Sequence, residues 1–197
     1  ITVGYLHTCA ILNDGSVLCW GEGGSGQLGV GDTSDYNSPQ PVSLGAGLTA
    51  TKISAGGIST FGGSNEGHTC AVLNNGIVKC WGSNSKGQLG RTGSGLLPAD
   101  VDLGDLTTLS ISSGGEHTCA LLSDGTMKCW GEGSSGQIGT GSSQDYSSPA
   151  ATINIGGSVV GIDAGGEHTC AIIVGGTIKC WGLGSDGRLG VSSTTSY

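Results

Sequence analysis

A fifteen-residue pattern recurs four times, at His7–Gly21, His68–Gly82, His117–Gly131 and His168–Gly182, each time reading His-Thr-Cys-Ala, two apolar residues, a turn, then Cys-Trp-Gly. A unit copied this faithfully cannot serve four different local structures, so the chain must be four versions of one supersecondary element. In the third copy, His117 to Leu122 and Thr126 to Gly131 are short runs of strand formers around Ser123-Asp124-Gly125, and glycine fills the third turn place in every copy. That arrangement predicts a hairpin. A type I turn closed by a left-handed glycine sets Leu122 against Thr126, and counting outward brings Cys119 opposite Cys129.

The same register aligns Cys9 with Cys19, Cys70 with Cys80, and Cys170 with Cys180. Opposed residues of antiparallel strands lie roughly 4.5 to 5.5 Å apart at Cα, which a disulfide spans. Each bridge would close a short loop and stabilise its hairpin by roughly 2 to 3 kcal/mol. Two other readings of these residues stay open: His-x-Cys followed by Cys as zinc ligands, and free buried thiols in a reducing compartment. Even, regularly spaced cysteines favour an oxidising setting, secreted or at the cell surface.

Each hairpin is preceded by a further run, Ile1 to Leu6, Ile53 to Gly57, Ile111 to Gly115 and Ile162 to Gly166. It is followed by Gly26-Gln27-Leu28-Gly29, Gly87-Gln88-Leu89-Gly90, Gly136-Gln137-Ile138-Gly139 and Gly187-Arg188-Leu189-Gly190. Paired glycines around one apolar residue predict a tight turn that tucks the side chain inward. Alternating runs led by proline, Pro39 to Leu44, Pro98 to Leu103 and Pro149 to Ile155, bring the expectation to about four strands per repeat. The steps from Ile1 to Ile53, Ile111 and Ile162 are 52, 58 and 51 residues, as for propeller blades of four strands.

The Gly-Gly, His-x-Cys-Ala, Asp-Gly, Cys-Trp-Gly and Gly-Gln-Leu-Gly elements together resemble the regulator-of-chromosome-condensation repeat. The resemblance runs through almost the whole chain and implies an all-β fold of β-propeller blades, usually seven to a ring in that family. The expectation is one propeller-type repeat domain over residues 1–197, with repeats at about 1–52, 53–110, 111–161 and 162–197, the last incomplete. Such a chain is a piece of a longer propeller or part of a multi-chain assembly, in which Ile1 to Leu6 of one molecule completes another's last blade by strand addition. Ile1, being neither an initiator Met nor the start of a signal peptide, fits a processed or trimmed chain.

A net charge of −8, with only seven Lys and Arg, argues against a grip on nucleic acid or an anionic membrane. No apolar run reaches the eighteen residues of a membrane-spanning helix. The four histidines share one repeat position, so they read as structural, and none is left to serve a nucleophile. The four tryptophans read as core anchors and Lys79, Lys128 and Lys179 as surface charges. No catalytic residue, cofactor or resident metal is expected.

Binding is expected where the repeat breaks. The second copy inserts nine residues between Gly57 and His68, carrying the single Phe, Phe61. Asp35-Tyr36 and Asp145-Tyr146 precede Ser-Pro loops in the first and third copies, a pairing that can stack on and hydrogen-bond a sugar or peptide. The function expected is a disulfide-stabilised, noncatalytic protein-binding or surface-assembly module outside the cytoplasm. Carbohydrate binding and inhibition of a secreted enzyme are the alternatives, and the acidic composition fits poorly with nucleotide exchange on chromatin.

Overall fold

The computed structural model describes residues 1–59, 65–150 and 152–191. Blade 1 is a four-stranded antiparallel sheet of β1 (Thr2–Val3), β2 (His7–Ile11), β3 (Val17–Gly21) and β4 (Tyr36–Val42). Blade 2 repeats it with β5 (Ala50–Ser59), β6 (Asn65–Leu73), β7 (Val78–Gly82) and β8 (Ala99–Val101). Blade 3 has β9 (Thr108–Ser113), β10 (His117–Leu122) and β11 (Met127–Gly131), and blade 4 has β12 (Val159–Ala164), β13 (His168–Ile173) and β14 (Ile178–Gly182). Among the described residues, no helix is long and apolar enough to cross a membrane.

The central hairpin keeps one register in all four blades. Its cysteines face each other, Cys9↔Cys19, Cys70↔Cys80, Cys119↔Cys129 and Cys170↔Cys180, and all four pairs are disulfides. Leu122 donates its N–H to the Thr126 carbonyl at 2.9 Å, and Gly125 closes the turn at φ +80°, a conformation that glycine adopts without Cβ strain. The Asp124 carboxylate accepts from Thr126 N–H and Oγ, bracing the turn.

The outermost strand is less regular than its alternating pattern suggests. Blade 1 forms it from Tyr36, three residues before Pro39, while blade 2 keeps only three residues. In blade 3, among the described residues, it is represented by bridges at Gly131↔Tyr146 and Met127↔Ile153. Proline has no N–H for a ladder, so Pro39 and Pro41 are tolerated on β4 because its outer edge has no neighbour to serve.

β1, β5, β9 and β12 sit innermost and bind one another around an axis. Thr2 Oγ1 accepts from Ala55 N–H at 3.1 Å, Ser54 Oγ from Ser113 N–H at 2.9 Å, and Ser112 Oγ from Ala164 N–H at 2.9 Å. They line a 440 Å³ axial cavity walled largely by Gly and Ser, with Asp163 on one side. Within Ile1 to Leu6, Thr2 and Val3 pair with Cys9 and Thr8 of the same chain, while Ile1, Tyr5 and Leu6 stay exposed.

Candidate functional site

The buried polar groups of the repeat converge on the seams between blades. His7 Nε2 meets Thr69 Oγ1 at 2.8 Å, His68 meets Thr118 at 2.9 Å, and His117 meets Thr169 at 2.9 Å. Each threonine hydroxyl in turn donates to a carbonyl of the preceding blade, Thr69 to Gln27, Thr118 to Gln88 and Thr169 to Gln137. A hydroxyl has one proton, so its bond to the carbonyl leaves it only as an acceptor for the histidine. The imidazole therefore carries its proton on Nε2, and Nδ1 of His7, His68, His117 and His168 is buried without a partner among the described residues.

Burial pushes His7 down to about 4 and His117 to about 4, the latter helped by His168 nearby. His68 falls to about 3, first through burial and then through His117 and His7. The seam thus holds neutral imidazoles whose geometry is fixed by packing.

The tryptophan of each following blade completes the seam. Trp130 Nε1 donates to the Gln88 carbonyl at 2.9 Å and Trp181 Nε1 to that of Gln137 at 3.0 Å, whereas Trp81 Nε1 is buried without a partner among the described residues. The indoles lie on Gly29, Gly90 and Gly139; at Gly90, with φ +65°, a Cβ would stand 2.8 Å from Trp130 Nε1. Gly-Gln-Leu-Gly is therefore a receptor for the next blade's Thr and Trp. Two contributors escape a reading of the sequence. The seam threonine is invariant within His-Thr-Cys, and that invariance was the available signal. Lys128 Nζ and Lys179 Nζ reach back across the seam to the carbonyls of Leu103 and Ile155, at 3.1 and 2.7 Å, Lys179 while remaining exposed.

The residues expected to bind a ligand are distributed over the arc. Tyr36 is half-buried against the blade 1/2 core, with its hydroxyl donating to Asp32 Oδ2 at 3.0 Å. Tyr146 packs half-buried against two cores and donates to Thr140 Oγ1 at 3.1 Å. Asp35 accepts from Gly23 N–H at 2.9 Å and Asp145 from Gly133 N–H at 3.0 Å, bracing the loop after Cys-Trp-Gly, and Asp145 also faces Lys86 at 3.8 Å. Phe61 lies outside the described residues, but the segment that leads to it is defined: Ile58 pairs with Glu66 and Ser59 with Asn65, so the insertion extends the β5–β6 ribbon.

A row of carboxylates occupies the ends of the strands on the side from which that ribbon rises. Ser85 Oγ donates to Glu66 and lies 3.5 Å from Glu116, while Glu132 accepts from Gln137 and Glu167 from Ser135. Burial, then the charges of Glu132 and Glu66, raise Glu116 to about 6, against a lowering pull from Lys86. Among the described residues, no group of three or more His, Cys, Asp or Glu side chains is placed to hold a metal ion.

Family models for the regulator of chromosome condensation (RCC1) repeat match residues 14–62 and 124–172, and 63–88 and 109–137, together more than half the chain. The chain belongs to the RCC1 repeat family. Among curated relatives of these RCC1 repeats is the mouse "Probable E3 ubiquitin-protein ligase HERC4", 32% identical over all of this chain and 18% of its own length. Among solved structures, that of Kap60 bound to yeast RCC1 (Prp20) aligns at TM-score 0.80 and 22% identity, over 98% of this chain and 45% of the other. The CRINKLY WD40 ectodomain of the Arabidopsis thaliana receptor kinase ACR4 aligns at TM-score 0.53 and 22% identity, over 93% of this chain and 49% of the other. At these identities the structures establish a shared propeller fold. The chain spans less than a fifth of this ligase and about half of each solved chain.

Proposed function

We propose that the chain is one propeller-type domain that works as a noncatalytic protein-binding module outside the cytoplasm. The observation that carries this reading is that the groups most suited to chemistry are committed elsewhere: three of the four histidines hold a neighbouring blade's threonine and all eight cysteines form disulfides. What remains outward is a carboxylate-rich side beside the blade 2 ribbon that leads to Phe61. Family members bound to or tested with protein partners, such as yeast RCC1 with Kap60, favour a protein. The disulfides favour an oxidising compartment, and the receptor-kinase ectodomain is a precedent for this fold at a cell surface. Glycan binding through Tyr36 and Tyr146 draws less support, because both rings are partly covered by core.

Alkylation of the natively isolated protein before reduction, read by intact mass, tests the compartment. All eight cysteines should resist alkylation, and eight modified thiols would overturn the assignment. Cross-linking in the native extracellular fraction, with Phe61→Ala beside the unaltered chain, tests the partner. Protein cross-links weakened by the substitution support the reading; a glycan-array signal without protein cross-links replaces it.

A further inference from the structure

A glutamate precedes the seam histidine in blades 3 and 4, Glu116 and Glu167. In the seam between blades 3 and 4, Ser135, just before the Gly-Gln turn, donates to Glu167 at 3.2 Å. Lys86 holds that place in blade 2, and its ammonium lies 3.8 Å from Asp145. The neighbouring Ser85 has one proton to give, and the blade 2 insertion takes it: Glu66, opposite Ile58 on the ribbon, accepts from Ser85 Oγ. Glu116 is left 3.5 Å from that hydroxyl, too far for a good hydrogen bond. Among the described residues, nothing else donates to its carboxylate.

Glu116 is nonetheless only 5% exposed. A carboxylate so covered normally takes a donor or a counter-charge, and its surroundings are mostly of its own sign. Glu66 and Glu132 repel it, while Lys86, whose charge pulls the other way, is shared with Asp145. Among the described residues, its unbonded oxygen is not one of the polar atoms sealed from solvent, so a group from outside can reach it. Two carboxylates thus border one hydroxyl at the foot of the blade 2 ribbon, on a chain of net charge −8. A metal ion is a poor match, since among the described residues no three His, Cys, Asp or Glu side chains are placed to hold one. A planar guanidinium, with five donors, can serve both carboxylates at once.

We propose that Glu116 and Glu66 together receive an arginine side chain of a protein partner, which enters beside the blade 2 ribbon. This site rests on the protein-binding reading and deepens it by naming what the partner must present, an exposed arginine. The guanidinium supplies Glu116 with the donor that Ser85 spends on Glu66, and it favours the ionised carboxylate. Burial, then Glu132 and Glu66, raise the ionisation of Glu116 to about 6. Affinity should therefore fall about tenfold from pH 7.5 to pH 5, where about one Glu116 in ten is ionised.

The test titrates acetyl-Gly-Arg-Gly-amide into the 15N-labelled 197-residue chain with disulfides intact and follows its backbone amide resonances. At pH 7.5 those of Ser85 and Glu116 should shift saturably, while the same peptide with uncharged citrulline in place of arginine leaves them unmoved. Glu116→Gln keeps the shape and removes a buried charge, so folding is retained, and spectral dispersion checks it. It should weaken binding about tenfold or more and erase the pH dependence. Asp102→Asn, which removes one charge at the opposite end of the blade 2 strands, should bind as the unaltered chain does. No saturable shift up to the peptide's solubility limit, an equal response to citrulline, or binding unchanged by Glu116→Gln or by pH 5 would each overturn the proposal. So would calcium chloride moving the same resonances at lower concentration than the peptide, which would make this a metal site. Cross-linking to a protein partner would survive each of those failures, so the broader reading is tested separately.

Discussion

A seam histidine can be neutral and well bonded only while one of its nitrogens goes without. His68 and His117 donate through Nε2 to threonine hydroxyls and keep Nδ1 bare in a buried place. Thr118→Val removes the hydroxyl that serves both His68 Nε2 and the Gln88 carbonyl, and should cost about 2 kcal/mol in urea denaturation, because two buried groups lose a partner at once. The pH dependence follows from the same histidines. Their folded pKa values lie below the ordinary value, so the unfolded chain binds more protons as pH falls below about 6.5. Their stabilisation is complete above that value and is lost progressively toward pH 4, by roughly 1.4 kcal/mol per histidine per unit. Glu116, raised from 4.5 to about 6, acts in the opposite sense, since its cost to stability builds as pH rises between those two values and acidification relieves it. Three depressed histidines outnumber it, so thermal melting should occur at lower temperature at pH 5 than at pH 7; a higher melting temperature at pH 5 would show that the carboxylate row dominates.

At the level of the element, the hairpin was legible in all four blades and the outer strand in blades 1 and 2. Cysteine spacing and turn glycines fix the register locally, and residues such as Leu122 and Thr126 pair without reference to the rest of the fold. Pro149 to Ile155 has strand-like alternation, yet among the described residues blade 3 shows only the isolated bridges Gly131↔Tyr146 and Met127↔Ile153 there. The cores that half-cover Tyr146 lie in other segments of the chain, beyond the reach of its local sequence. Replacing Cys119 and Cys129 together by serine should cost about 2 to 3 kcal/mol through the freed unfolded loop. Hydrogen exchange should still find β10 and β11 paired, since their ladder and the Gly125 turn persist.

Taken as a molecule, the arc is a stack in which each blade owes its burial to its neighbours. Blades 2 and 3 have seams on both sides, while blades 1 and 4 each have one. Native-state exchange at dilutions that favour single chains should therefore be slowest in β6, β7, β10 and β11 and fastest in β1, β13 and β14. Equal protection in all four blades would mean that the ends are covered. The blade order could be read from the recurring motifs, whereas the seam chemistry could not, because Thr118 and Gln88 are thirty residues apart in sequence. A repeat carries both its threonine–tryptophan side and its glycine–leucine side, so copying or deleting one whole unit of the gene leaves every surviving junction matched. Growth and loss of such arrays by recombination then require no compensating substitutions.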